Sequence, residues 1–417
     1  MENAASIPKV DVNAVKWLFE PAHIDNFLRA LETKSFLHLP GKLGKFKHLI
    51  TWSELSTVLE QHRMTSPRLT LFKKGQQIDQ HLYLEQEGPF RTEYRVRSQL
   101  ITELQAGATL ILNHFDDFST ATQELAQELE WALRTEVHAN LYAGWGSDNG
   151  FDLHRDEHDT LILQVAGNKR WTIHRPNESH PFKAENDTVL KPPDPPLWDD
   201  DLEDGSLLYI PKGWWHVAVP QNEPTLHLTM TIRSPSGIDF LQWLANLMMS
   251  KTVFPMDLPH LADEAEAERY STEMLKELTR DWSPGLVSRF LSYRDAKVKP
   301  RPHVNLSILP FLRDSDLPAS AFVRLTVPRQ LRLTDSPNNA VRFEANGKMW
   351  TFPCSMVAAL ALLNDYRWHV MSELRASTVD PTELKQMLID LVLGGIVKID
   401  CEDANGRDAA KADESIG

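Results

Sequence analysis

Two stretches decide how this chain folds: NLYAGWGSDNGFDLHRDEHDTLILQVAGNKRW at residues 140–171 and GSLLYIPKGWWHVAVP at residues 205–220. Both set apolar and polar residues in short segments between Gly, Pro, Asn and Asp turns, the pattern of β-strands. His154 and Asp156 stand two residues apart in the first. On an extended segment their side chains point to one face, where they can share an ion. The second stretch ends a strand, turns through PKGWW and then places His216, which a β-barrel can bring beside the first pair. Two His and one carboxylate on one face of a metal form the facial triad of non-haem Fe(II) oxygenases, which leaves positions open for a chelating cosubstrate and dioxygen. His158 and Asp159 stand in the same segment as competing ligands. A lone His-x-Asp means little in a chain with 16 His; the distal His after an IPxGWWH turn, in the same β-rich region, gives the pair its weight.

Working outward, the β texture runs from Val137 to Ile232 through HANLYAGW, DTLILQVAG, KRWTIH, SLLYIP and LHLTMTI. It predicts an all-β barrel or sandwich. The insert KPPDPPLWDDDLEDG (191–205) is Pro-rich and acidic and reads as an external loop. Before the barrel, Pro21 starts a helix carrying Ile24, Phe27, Leu28 and Leu31 on one face, and FLHLPG reads as a short strand. Trp52–His62 and Thr120–Arg134 have helical spacing, and SPRLTLF and ATLILNHF read as strands.

After Pro235 the pattern turns helical. Ile238, Phe240, Leu241, Trp243, Leu244, Leu247, Met248 and Met249 cover more than one helix face, which points to burial against a second partner or within the domain. Asp263–Trp282 reads as a charged helix, and Ser283-Pro284 as the start of another. Farther on, VRFEANGKMWTF has an Asn-Gly turn between alternating strands, a hairpin signal. Asp380, Pro381 and Glu383 form an N-cap, first-position Pro and capping-box set for a helix that Gly394-Gly395 stops, with IVKID as a strand after it. Helices followed by a short strand at this scale predict a winged-helix-like module, and residues 402–417 read as a disordered tail.

Composition limits the partners. The chain has 417 residues and a net charge of −14, from 44 Lys plus Arg against 58 Asp plus Glu. That argues against holding nucleic acid by phosphate neutralisation and favours basic partners. Residues 302–417 carry 12 Lys plus Arg against 15 Asp plus Glu, a net of −3, so the C-terminal module is read as packing or binding protein rather than DNA. Cys354 and Cys401 cannot build a disulfide framework. Without a basic n-region and apolar run at the start, or about 18 uninterrupted apolar residues anywhere, the expectation is a cytoplasmic protein with no membrane partner.

The stretches 140–171 and 205–231 resemble the Jumonji C, cupin-like 2-oxoglutarate oxygenases, specifically the ribosomal-oxygenase branch and its bacterial relatives. Asn140 and Tyr142, Gly150, His154 and Asp156, Ile162 to Gln164, Gly167, Lys169 and Trp171, then Ile210, Pro211, Gly213 and His216 supply every element of that pattern. The barrel match is specific, whereas the C-terminal match is only one of layout. The resemblance implies an α+β chain: a double-stranded β-helix catalytic domain (1–235), a helical dimerisation region (236–300) and a winged-helix-like domain (301–401). It implies that His154, Asp156 and His216 bind Fe(II), and that Lys169 grips the distal carboxylate of 2-oxoglutarate, with O2 as the second cosubstrate. Read alone, without the resemblance, Lys169 is sooner a solvated turn residue beside Arg170. Tyr142 is expected to contact cosubstrate or substrate, or else to be an ordinary barrel aromatic. Asn140 and Thr229 join the expected cosubstrate set; Asn113, Thr225 and His227 are further candidates to face the cavity. Trp145, Trp214 and Trp215 read as packing or cleft walls, and Gln164 as a polar group in a core strand with either a structural or a catalytic role.

The implied activity is hydroxylation of an Arg or His side chain in a basic protein or peptide, a ribosomal protein among the options, by a homodimer joined through 236–300. A hydroxylase of ribosomally made peptide natural products is one alternative. A non-catalytic cupin-like binding protein is another, although it would be expected to have lost a ligand. A DNA-binding regulator is disfavoured by the C-terminal charge.

Overall fold

In the computed structural model, which describes residues 12–86, 94–177, 191–311 and 316–401, the chain forms two compact units, one spanning Asp11–Ser234 and the other built from Pro235 onward. The expected tail at 402–417 lies outside the described residues.

The first unit opens with α1 (Ile24–Thr33) behind Pro21, then β1 (Leu37–Leu39), α2 (Trp52–Gln61), β2 (Leu69–Lys73), β3 (Gln76–Gln77), β4 (Leu84–Gln86), β5 (Tyr94–Val96), α3 (Gln99–Gln105), β6 (Thr109–Leu112) and α4 (Thr120–Leu133). There follow β7 (Glu136–Gly144), β8 (His154–Arg155), β9 (Asp159–Ala166), β10 (Lys169–His174), β11 (Trp198–Leu202), β12 (Leu207–Ile210), β13 (Trp215–Pro220) and β14 (Thr225–Arg233). One sheet has eight strands in the order β1-β12-β9-β14-β7-β6-β2-β3, and a second has four in the order β11-β10-β13-β8.

Strand alternation explains how these sheets make both a core and a cavity. On β14, Leu226, Leu228, Met230 and Ile232 enter the main core. His227, Thr229 and Thr231, one residue out of phase, line a cavity instead. On β7, Val137, Ala139, Leu141 and Ala143 join that core while Asn140 and Tyr142 reach the cavity. Phe27 of α1, Leu55 of α2 and Leu125, Ala126 and Leu129 of α4 belong to the same core, so helices cover the outer face of the large sheet. Each Val, Leu, Ile, Met or Phe side chain among them contributes about 1.5–3 kcal/mol on leaving water. The polar faces are thereby left inside, between the two sheets. A β-bulge shifts the β9–β14 register between Leu226 and His227, at the cavity wall.

The insert at 191–205 departs from the expected loop. Its acidic part is β11, paired antiparallel with β10 from Lys169↔Leu202 to Ile173↔Trp198. Leu202 is fully buried in a second core with Ile162, Trp171, Ile173, Leu208 and Ile210. Arg170 offsets the charge: its Nε lies 3.0 Å from Asp199 and its Nη1 3.7 Å from Asp201.

In the second unit, α5 (Gly237–Met248), α6 (Glu264–Arg280) and α7 (Leu286–Lys297) precede β15 (Phe322–Leu325), β16 (Thr334–Ser336), β17 (Ala340–Ala345), β18 (Lys348–Pro353), α8 (Val357–Leu363), β19 (His369–Val370), α9 (Met371–Ala376), α10 (Pro381–Leu393) and β20 (Val397–Asp400). A capping box between Ser236 and Asp239 starts α5. Its Trp243, Leu244 and Met248 pack with Leu286 and Phe290 of α7, while Ile238, Leu241 and Met249 are 47%, 52% and 67% exposed. Both faces of α5 are therefore apolar, and one of them is uncovered. The β17–β18 hairpin turns through Asn346 and Gly347, both at positive φ, as its sequence requires. Two local expectations need correction. α7 begins at Leu286 with Gly285 as its N-cap, not Ser283. At α10 the Asp380 side chain caps Thr382 and Glu383 as expected, but Glu383 accepts the hydroxyl of Ser355 instead of closing a capping box. Among the described residues, no helix is long and apolar enough to cross a membrane.

Candidate metal centre and cosubstrate cavity

β8 is a two-residue strand, and its pairing with β13 sets His154 directly opposite His216. Asp156 follows β8 and is fastened from behind, since its backbone carbonyl accepts the N–H of Gly213 from the PKGWW turn, 2.9 Å away. Gly213 sits at φ +81°, a left-handed conformation that favours glycine and makes the turn tight. His154 Nε2 lies 3.8 Å from Asp156 Oδ1, His216 Nε2 lies 3.6 Å from Asp156 Oδ2, and the imidazole centroids are 4.4 Å apart. The three thus offer one ligand atom each to a common point.

Each imidazole is oriented by its other nitrogen. His154 Nδ1 lies 2.8 Å from the Asp152 carbonyl and His216 Nδ1 3.1 Å from the Trp214 carbonyl. A proton donated to those carbonyls leaves the Nε2 lone pairs facing Asp156, the arrangement that metal-binding histidines usually adopt. Burial, then the neighbouring His154, pushes the His216 imidazole well below its ordinary range, so it is neutral. Burial alone would raise the Asp156 carboxyl, but His216, His158 and His154 together hold it below the usual carboxylate range. Neutral imidazole beside an ionised carboxylate is the protonation a divalent cation needs.

Of the competing ligands, Asp159 is committed elsewhere: its carboxylate accepts Lys34 Nζ at 2.6 Å and the Lys212 N–H at 2.8 Å. His158 lines the same cavity, its Nδ1 3.5 Å from the Thr160 hydroxyl, but stands outside the group of three.

The cavity encloses about 250 Å3 between the two sheets and is shared by the triad, Tyr142, Lys169 and His227. Lys169, the first residue of β10, is 5% exposed. Among the described residues it meets no carboxylate; its Nζ lies 5.9 Å from the Trp171 ring centroid. Desolvation drops its pKa to about 7. A buried cation without a counter-ion, opening on a cavity, is a receptor for an anion. Tyr142 stacks on His227 at 4.8 Å with 4° between the rings. Burial, then the charge of Asp156, raises its phenol, which stays protonated. Burial, then Lys169, pushes His227 well below its ordinary value, and its Nδ1 has no hydrogen-bond partner among the described residues.

Asn140 and Thr229 line the cavity as expected. Asn140 also has a second task, because its Oδ1 accepts the backbone N–H of His114 at 3.0 Å. Asn113 and Thr225 are used elsewhere: Asn113 donates to the Pro67 carbonyl, and Thr225 accepts from Gln164, which also closes the turn after β9 through the carbonyls of Ala166 and Gly167. Trp145 packs on Trp52, Trp214 on Phe36, and Trp215 donates to Asn177, so none of the three lines the cavity. Trp171, named above only as part of the family pattern, lines it, as do Phe151, Thr109 and Thr231, which the sequence reading did not name. The period-two phase of their strands was the available signal for Trp171, beside Lys169, and for Thr231, beside Thr229.

Two β-sheets enclose a cavity that holds a His-x-Asp pair and a distal His, and residues 111–240 match the JmjC domain family. Among solved structures, the chain resembles the X-ray structure of Escherichia coli YcfD, with 17% identity, a TM-score of 0.58, and coverage of 90% of this chain and 98% of that one. A structure of that protein described as a ribosomal oxygenase in complex with cobalt and 2-oxoglutarate matches over the same shares at 17% identity and a TM-score of 0.53. Among curated proteins, the bifunctional lysine-specific demethylase and histidyl-hydroxylase NO66 of Drosophila pseudoobscura pseudoobscura is 24% identical over 258 residues. The match takes in 60% of this chain and only about a quarter (26%) of that protein's length.

Proposed function

We propose that this chain is an Fe(II)- and 2-oxoglutarate-dependent oxygenase that hydroxylates an Arg or His side chain of a basic protein or peptide. The observation that carries this reading is a single cavity holding a two-imidazole and carboxylate triad together with a buried lysine that meets no carboxylate among the described residues. The donor set suits the group: two imidazoles and one carboxylate are the ligands of non-haem Fe(II) sites with open positions. The lysine supplies the positive charge that a dicarboxylate cosubstrate requires.

His154, Asp156 and His216 would hold the metal. Bound there, Fe(II) with 2-oxoglutarate and O2 supplies the oxidising power to convert a C–H bond into C–OH, releasing succinate and carbon dioxide. The protein's own residues bind and orient. Lys169 pairs with the distal carboxylate and fixes the cosubstrate's direction in the cavity. Tyr142, its phenol kept protonated, donates a hydrogen bond to cosubstrate or substrate, and its stacking on His227 holds the ring in place. Asn140 and Thr229 complete the polar wall, while Trp171 and Phe151 keep water out. The positioning of a C–H bond beside the metal is where such a pocket gains most of its rate.

The net charge of −14 supports a basic substrate. It also fits, with the named relatives, a ribosomal protein as target and a cytoplasmic setting. The uncovered apolar stripe of α5 supports residues 236–300 as a homodimer interface. The order of helices and short strands in 301–401 supports a winged-helix-like module that binds protein rather than nucleic acid.

The test is anaerobic titration of 2-oxoglutarate into the Fe(II)-loaded protein, following the visible metal-to-ligand band. The band is expected in wild type and absent in His154→Ala. With a basic peptide present, mass spectrometry is expected to find product heavier by one oxygen atom. A well-folded wild type that forms no band would sink the oxygenase reading in favour of a binding protein.

A further inference from the structure

The first unit contains a second cluster of the same composition. His114, in the turn after β6, Asp116, two residues on, and His138 on β7 bring one ligand atom each within 4.8 Å of one another. The His114 and His138 ring centroids are 4.6 Å apart at 70°. We propose that these three residues form a second metal site, taking a late first-row divalent ion such as Zn(II) or Co(II), with a position left open for water or an incoming ligand.

Three observations carry this beyond proximity. First, spacing alone does not gather the cluster: the chain has another His-x-Asp pair at His23 and Asp25, and among the described residues no third ligand joins it. Second, the backbone is held for the purpose. His114 sits at φ 51°, a left-handed conformation that a non-glycine residue keeps only when its surroundings enforce it. The enforcing contact is the Asn140 side chain on the His114 N–H. Third, burial is graded as an open site requires. Asp116 is 1% exposed, with Oδ1 fixed by the Ala139 N–H at 2.9 Å, His138 is half-buried, and His114 is exposed. A fixed buried carboxylate, a half-buried imidazole and an exposed one can take an ion while solvent keeps access. Two imidazoles and a carboxylate suit Zn(II) with a fourth, exchangeable ligand.

The placement gives such an ion a consequence. His138, Asn140 and Tyr142 are alternate residues of β7 and share one face, and Asn140 and Tyr142 line the main cavity. An ion on His138 would therefore tie the turn after β6 to the strand that forms the cavity wall. Asn140 touches both places.

The experiment counts metal. Protein freed of metal by chelation is titrated with Co(II) alone, with bound equivalents read by equilibrium dialysis and the visible absorption recorded. The expected result is two equivalents in wild type and one each in His114→Ala and in His216→Ala, with different spectra for the two single-site variants. His114 is exposed, so its alanine variant should fold; His138→Gln serves as a second variant, and circular dichroism checks both. One equivalent in wild type, lost in His216→Ala and retained in His114→Ala and His138→Gln, would overturn the proposal. Two equivalents that survive both His114→Ala and His138→Gln would also overturn it. One equivalent lost only in the His114 and His138 variants would uphold it while removing the metal from the His154 triad.

Discussion

Burying the Lys169 ammonium without a carboxylate costs free energy that must be recovered when an anion arrives. Its pKa near 7 makes this titratable. Because the folded value lies below the ordinary 10.5, the unfolded chain binds more protons between those limits. The apo protein should therefore gain stability from this group as pH rises from about 7 toward 10.5. A bound carboxylate acts oppositely, raising the Lys169 pKa, so binding of 2-oxoglutarate near pH 8 should take up a proton and weaken as pH rises. Anaerobic calorimetry on the Mn(II)-loaded protein, in buffers of different ionisation enthalpy, should find a buffer-dependent heat in wild type and none in Lys169→Met. An equal heat in every buffer for wild type would remove Lys169 from the cosubstrate site. Lys169→Ala should also lose about 1.5–3 kcal/mol of binding, roughly 10- to 150-fold in Kd. Sequence alone favoured a solvated turn for this residue, because what sets it apart is that it meets no carboxylate among the described residues, a surrounding contributed by strands far along the chain. The triad was legible earlier, since His154 and Asp156 share a face by local geometry and only His216 had to be supplied by the fold.

At the level of elements, the period of two did most of the work, and β14 is its clearest instance. Leu228 and Thr229 are adjacent, yet one is fully buried in the main core and the other lines the cavity. Leu228→Ala should cost about 2–5 kcal/mol in urea unfolding, with 2-oxoglutarate affinity of the folded protein little changed. Thr229→Val should do the reverse, weakening the cosubstrate while leaving the unfolding midpoint almost in place. If both variants lose stability alike, the assignment of faces is wrong. The strand that escaped the sequence reading, β11, did so for a physical reason. Asp is a poor strand former, and WDDDL lacks the β-branched residues of its neighbours. Its place depends on Arg170 across the pairing and on Trp198 and Leu202, which pack into the second core. As the edge strand of its sheet, its charges also guard against pairing with another chain.

For the molecule as a whole, the apolar excess of α5 is the feature that reaches beyond one chain. Trp243, Leu244 and Met248 account for one face through the contacts with Leu286 and Phe290. The other face repeats at helical spacing through Ile238, Leu241, Ala245 and Met249, all exposed. An apolar stripe of this kind on a single chain calls for a covering surface, and in a homodimer the same stripe of a second copy can cover it by two-fold symmetry. Burying one Leu and one Met per subunit contributes on the order of 1.5–3 kcal/mol each. Placing carboxylates at both positions should therefore weaken association by at least about 3 kcal/mol, more than a hundredfold in Kd. Sedimentation equilibrium at micromolar concentration should find a dimer for wild type and a monomer for the double variant Leu241→Glu, Met249→Glu. Neither residue lines the cavity, so the variant should keep its 2-oxoglutarate affinity, which separates loss of the interface from loss of the fold. A wild type that sediments as a monomer would leave the stripe without a self-partner and remove the dimer from the proposal.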